Sequence, residues 1–226
     1  MFIYILYICF QMIKISPSIL SADILKLEEE IKLLDENGAD YIHIDIMDGH
    51  YVPNITFGPN IVKSIRKITN KTLDVHLMIQ PVKPYIEEFI KAGSDIISFH
   101  PEADNNSEEI INIINEANIK AGIAIHPKVE ITAIENLLHK VQQIIIMTVI
   151  PGFGGQQFMQ SQVKKIKYLD KIRKNHNYNY EIGVDGGVNI ENAKICKNSG
   201  ADVLAVGSYL LSKSHNEYSK IINSLK

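Results

Sequence analysis

From residue 13 onward the chain alternates short runs of β-branched residues with longer segments whose apolar positions return every three or four residues. Parallel strands joined by crossover helices have this pattern. The short runs are Ile13 to Ser18, Tyr41 to Met47, Thr72 to Met78, Asp95 to Phe99, Ala121 to Ile125, Gln143 to Val149, Glu181 to Val184 and Val203 to Val206. Among the longer segments, Asp23 to Asn37 sets Ile24, Leu27, Ile31 and Leu34 on one helical stripe and Glu28, Glu29, Glu30 and Lys32 largely off it, with Ser21 and Asp23 as suitable N-caps. Three segments stop on similar sequences, Asn-Gly-Ala-Asp at 37–40, Lys-Ala-Gly-Ser-Asp at 91–95 and Asn-Ser-Gly-Ala-Asp at 198–202. Glycine there supplies the left-handed turn that ends a helix before the next strand.

Eight such units in one chain predict an α/β fold, a single (β/α)8 TIM barrel, whose active site lies at the C-terminal ends of the strands. A doubly wound open sheet is the alternative. It often carries a Gly-x-Gly-x-x-Gly turn after its first strand, where this chain reads Ser16-Pro-Ser-Ile-Leu-Ser-Ala-Asp23. No linker, low-complexity tract or charge block divides the chain, so residues 13–226 are expected to form one catalytic domain. Residues 1–12 are read as an N-terminal extension. Its apolar run from Phe2 to Phe10 is about half the ~20 residues of a membrane span, and it lacks the basic start and cleavage site of a secretory signal.

Composition narrows the function classes. With 226 residues, 46% hydrophobic and 22% charged, the chain falls among ordinary globular domains. A formal net charge of −3 offers no general attraction to phosphate backbones, so neither nucleic acid nor membrane is an expected partner. The two cysteines, Cys9 and Cys196, lie far apart and form neither a zinc-knuckle nor a disulfide pattern, consistent with a reducing, cytoplasmic setting.

The most informative segment is Tyr41-Ile-His-Ile-Asp-Ile-Met-Asp-Gly49. A strand's period of two puts His43, Asp45 and Met47 on one face and three isoleucines on the other. The isoleucines suit the helix layer, so the polar set points into the barrel, where a buried carboxylate needs a partner. The third strand repeats the device in Asp74-Val-His-Leu-Met78, and the seventh ends in Val184-Asp185-Gly-Gly-Val188. Two His and two Asp, His43, Asp45, His76 and Asp185, are therefore expected at one rim, a donor set suited to zinc, iron(II), manganese or cobalt. A second constellation is glycine-rich: Gly152, Phe153, Gly154 and Gly155 after strand six, Gly186 and Gly187 after strand seven, Gly207 and Ser208 after strand eight. Exposed backbone amides there can bind a phosphate without lysines, and Gly152 to Gly155 can hinge a closing loop.

These residues resemble the ribulose-phosphate 3-epimerase family through Ser16-Pro-Ser-Ile-Leu-Ser-Ala-Asp23, His43-Ile-Asp-Ile-Met-Asp-Gly49, Asp74-Val-His-Leu-Met78, Pro151-Gly-Phe-Gly-Gly-Gln156 and Val184-Asp-Gly-Gly187. The resemblance runs from about Ile13 to the C-terminus. It implies a metal-dependent enzyme that interconverts D-ribulose 5-phosphate and D-xylulose 5-phosphate in the non-oxidative pentose phosphate pathway, with one divalent ion, no organic cofactor and a homo-oligomeric assembly. It further implies that His43, Asp45, His76 and Asp185 are metal ligands and that Asp45 and Asp185 are the acid/base pair. The metal would stabilise an ene-diolate as a Lewis acid. Ser18 and His76 would contact substrate, with Met47, Met78 and Met147 as an apolar lining.

Two positions depart from the family pattern, Ile150 where Asn is usual and His126 where a non-His residue is usual. His126, His100 and Glu102 are read as structural or as supporting the ligands. Competing readings are a 3-epimerase of a six-carbon ketose phosphate and a non-catalytic metal- or phosphate-binding barrel. A decarboxylase or aldol-type synthase would need an inward lysine, which these strand ends do not supply.

Overall fold

The computed structural model describes residues 12–226; the expected extension lies outside the described residues except for Met12. Eight parallel strands form the barrel: β1 (Lys14–Pro17), β2 (Tyr41–Met47), β3 (Thr72–Met78), β4 (Ile96–Phe99), β5 (Lys120–Ile125), β6 (Gln143–Met147), β7 (Glu181–Asp185) and β8 (Val203–Val206). From β2 to β8 each strand pairs with the next in sequence, and β1 pairs with β8. Between β1 and β2 the ring is completed by one isolated bridge, Ser18 to His43. Nearby, the Ile15 amide donates to Asp40 Oδ2 at 2.8 Å and the Asp40 amide to the Ile15 carbonyl at 2.9 Å.

The helices outside are α1 (Leu27–Glu36), α2 (Pro59–Arg66), α3 (Ile86–Lys91), α4 (Ser107–Glu116), α5 (Val163–His176), α6 (Ile190–Asn198), α7 (Ser208–Leu211) and α8 (Tyr218–Leu225). Their inner faces meet the outward strand residues, among them Ile42, Ile44, Val75, Leu77, Ile144 and Ile146, all fully buried. Burying such a side chain contributes about 1.5–3 kcal/mol, so this outer layer holds most of the apolar core. The inward face differs. Tyr41, Ile96 and Val203 pack near the strand starts, Ala124, Ile145 and Met147 pack together further on, and the remaining inward positions are largely polar.

The three repeated helix stops share one device. Gly38, Gly93 and Gly200 have φ of +93°, +95° and +104°, and the Asp that follows each accepts a strand amide: Asp40 from Ile15, Asp95 from Leu73 and Asp202 from Ile182. Each turn thereby sets the height at which the next strand begins.

The periodicity misplaced a few positions. The expected first helix begins as a 3-10 turn over Ile24–Lys26, capped by the Asp23 carboxylate, so Ile24 turns outward and is 58% exposed. Glu30, expected off the buried stripe, is buried where His215 and Tyr218 donate to it at 2.9 Å. The crossover from β5 to β6 carries two 3-10 turns, Ile131–Ala133 and Glu135–Leu137, and no α-helix among the described residues; two helices follow β8 instead.

Candidate active site

Strand register builds the site. His43 lies beside Asp74, Asp45 beside His76 and Met47 beside Met78 on β2 and β3, so the inward residues form adjacent rungs at the C-terminal mouth. Asp185 closes the group as the last residue of β7. One donor atom from each of His43, Asp45, His76 and Asp185 lies within 4.8 Å of the others. His43 Nε2 is 3.3 Å from Asp45 Oδ1 and 3.7 Å from Asp185 Oδ2, while His76 Nδ1 is 3.2 Å and 3.5 Å from the same two oxygens. The structure brings together all four predicted residues.

His43 and Asp45 are held from behind. His43 Nδ1 contacts Asp74 Oδ2 at 2.9 Å, so with Asp74 ionised the proton sits on Nδ1 and the Nε2 lone pair faces the cluster. His43 Nε2 is buried with no hydrogen-bond partner of its own. Ser18 Oγ donates to Asp45 Oδ2 at 2.6 Å, leaving Oδ1 toward the imidazoles. An orphaned buried nitrogen aimed at two carboxylate oxygens and a second imidazole is a donor set that fits a divalent cation of borderline softness.

Electrostatics agrees with that fit. Burial opposes charge on His43, but Asp45 and Asp74 outweigh it and raise its pKa well above the ordinary imidazole value. Burial likewise opposes charge on His76, and Asp185 and Asp45 overcome it. For Asp45 burial opposes ionisation, yet His43 and His76 pull its pKa well below the carboxylate range. His100 behaves in the opposite way: burial pushes it down to about 4, so it stays neutral.

Above the cluster opens a cavity of about 320 Å³, lined by Ser18, Asp45, Met47, Met78, Met147, Gly152, Phe153, Gly155, Gln156, Asp185, Gly186, Gly187, Gly207 and Ser208 together with neighbouring residues. His43 and His76 lie beneath it, fully buried, and Gly154 is not part of its wall. No lysine or arginine lines it among the described residues. Lys165, buried on α5, instead donates to the Pro127 carbonyl at 2.9 Å. The glycine loop is braced: Gln156 Nε2 donates to the Ile150 and Phe153 carbonyls, and Asn54 Nδ2 to the Gly152 carbonyl, all at 2.7–2.8 Å. The two departures, Ile150 and His126, line a separate shallow groove with Tyr51, Val52, Pro53, Glu102, Val129 and Pro151.

The sequence profile of the family described as "Ribulose-phosphate 3 epimerase family" matches residues 14–211, the span of the barrel from its first strand to α7. The chain belongs to the ribulose-phosphate 3-epimerase family. As a member it is an epimerase, an isomerase acting on carbohydrates. Ribulose-phosphate 3-epimerase of Bacillus subtilis is 46% identical over 204 residues, covering 90% of this chain and 94% of its own length. The chloroplastic ribulose-5-phosphate-3-epimerase of Arabidopsis thaliana is 43% identical, covering 94% and 75%. Among solved structures, a mutant tryptophan synthase α-subunit from Pyrococcus furiosus superposes with a TM-score of 0.69 over 94% of this chain and 95% of its own, at 14% identity. That likeness bears on the barrel alone.

Some members of the site were not apparent from the pattern. Asp74 and Gln156, which ties the glycine loop, both stand in quoted motifs, but the sequence pattern assigns neither a role. Tyr51, whose hydroxyl donates to Glu102 Oε1 at 2.8 Å, gave no signal, because a single Tyr in a loop looks like any surface aromatic.

Proposed function

We propose that this epimerase interconverts D-ribulose 5-phosphate and D-xylulose 5-phosphate in the non-oxidative pentose phosphate pathway, working in the cytoplasm with one divalent metal ion. The observation that carries the reading is the meeting of Asp45 and Asp185 at one cavity, beside two imidazoles whose donor atoms face them. The two carboxylates arrive from β2 and β7, with β1 and β8 between those strands. Inverting C3 needs a group on each face of the sugar. One carboxylate, ionised, takes the C3 proton; the other, protonated, delivers a proton to the opposite face, and the two end with their protonation states exchanged. Ser18 fixes one oxygen of Asp45, so that carboxylate works through the other. His43, Asp45, His76 and Asp185 would hold the metal, which supplies Lewis acidity to offset negative charge developing on the substrate's oxygens.

The phosphate end is assigned to the backbone around Gly152 to Gly155, Gly186, Gly187, Gly207 and Ser208. Gly187 supports this assignment most directly: its φ is +65°, and a Cβ there would lie 2.7 Å from both the Gln156 carbonyl oxygen and the Phe158 amide nitrogen. The β6 and β7 loops can meet this closely only at glycine. Gly187→Val is expected to lower kcat/KM roughly 10- to 100-fold, the equivalent of about 1–3 kcal/mol of strain, with metal content unchanged; steady-state kinetics with elemental analysis checks both.

The experiment that tests the reading compares D-ribulose 5-phosphate, free D-ribulose and a six-carbon ketose 6-phosphate as substrates. The expected order puts the pentulose phosphate first, with the free sugar impaired in both KM and kcat because remote binding energy positions the reacting carbon. Equal turnover of the free sugar would remove the phosphate assignment. Preference for the six-carbon substrate would move the activity to the longer ketose.

A further inference from the structure

We propose that His100 is a positioning residue for the metal site: by accepting the Nε2 proton of His76 it sets the tautomer in which His76 Nδ1 faces the cation, and Glu102 fixes the tautomer of His100 in turn. This rests on the metal site proposed above and assigns new roles behind it. His76 lies opposite Ser98 in the β3–β4 register. Two residues further on, just past the end of β4, comes His100, nearer the mouth, where Pro101 starts a 3-10 turn that carries Glu102 round behind the ring. His100 is fully buried between two rings, His76 at 5.1 Å and Tyr51 at 4.6 Å between centroids.

The proton inventory leaves one consistent arrangement. His76 Nε2 and His100 Nε2 are 3.0 Å apart, so one donates and the other accepts. For His76 Nδ1 to offer its lone pair toward Asp45 and Asp185, the hydrogen must sit on His76 Nε2, and His100 Nε2 must accept it. His100 then carries its own hydrogen on Nδ1. That atom is buried, and the carboxylate it faces is Glu102, whose Oε1 is 3.5 Å away and is itself held by the Tyr51 hydroxyl. His43 obtains its tautomer directly from Asp74; His76 obtains it through an imidazole and then a carboxylate. Partners of this kind, once removed, typically weaken metal binding roughly 10- to 100-fold.

The test measures Co(II) and Zn(II) affinity by chelator competition, with the visible absorption of the Co(II) protein as a second readout, in the wild type, His100→Leu, His100→Gln, Glu102→Ala and the His100→Leu/Glu102→Ala double variant. Far-ultraviolet circular dichroism confirms the fold of each. Wild type is expected to bind one ion per chain. His100→Leu should bind it roughly 10- to 100-fold more weakly with an altered Co(II) spectrum. His100→Gln, whose side-chain oxygen can accept the same proton, should recover most of the affinity. The double variant should bind no more weakly than His100→Leu, because Glu102 acts through His100. Wild-type affinity and spectrum in His100→Leu would overturn this proposal while leaving the four ligands in place, as would a Gln variant no better than Leu. A wild-type protein that takes up no cation would overturn the metal site itself and this inference with it.

Discussion

Asp45→Asn and Asp185→Asn are each expected to lower kcat by roughly 10²- to 10⁴-fold, the range of positioned proton transfer. Either alone should suffice, because inversion at one carbon needs a group on each face. Asparagine preserves the shape of both side chains and at position 45 can still accept from Ser18 Oγ, so a fall in rate with the ion in place reports lost proton transfer rather than collapse of the rim. Asp45→Asn also removes a charge that His43 and His76 are balanced against, so its metal affinity should fall along with the rate. The measurement is kcat with metal content determined on the same samples. Either variant keeping more than about a tenth of wild-type rate with its ion in place would end that residue's assignment as a proton-transfer group, since the loss would then fall below the usual range.

Exhaustive chelation is expected to abolish turnover and a divalent transition ion to restore it, because among the described residues no lysine or arginine lines the cavity to offset charge on the substrate. The pH dependence of uptake has a definite sign. In the metal-free protein His43 and His76 titrate above the ordinary imidazole value, so protons occupy the donor atoms until the pH exceeds those raised values. Apparent affinity should therefore fall as pH is lowered through and below them, with protons released on binding. Calorimetry in buffers of different ionisation enthalpy counts those protons. Full activity in protein shown to be metal-free, or pH-independent uptake with no proton release, would contradict the site as drawn.

The barrel was legible because short β-branched runs recur eight times between longer amphipathic segments, and because three helix stops reuse the same Gly and Asp. His43, Asp45, His76 and Asp185 were legible because alternation fixed which side chains share a face, and a polar residue on the inward face near a strand end has few alternatives to the mouth. What stayed hidden depends on contacts between distant elements. Glu30 is buried by His215 and Tyr218, 185 and 188 residues away, which no local periodicity carries. Ile24 turns outward because a capped 3-10 turn shifts the phase of the helix by part of a turn. Tyr51 joins the site because its ring packs on His100 just past β4, and the β5–β6 crossover closes as two 3-10 turns with no α-helix among the described residues.

The single bridge between Ser18 and His43 makes the join of the ring and the reaction centre one place. His43, Asp45 and His76 stand on one side of that join; Asp185, on β7, is reached across it through β1 and β8. A cation gripped by all four, as proposed, would be a clasp across that join in the hoop. Breathing of the hoop would begin at this join, and amide hydrogens of β1 and the start of the loop after it should exchange faster once the ion is withdrawn. With the ion bound as proposed, its supply would set two things together, how fast each molecule turns over and how many molecules remain intact to do so.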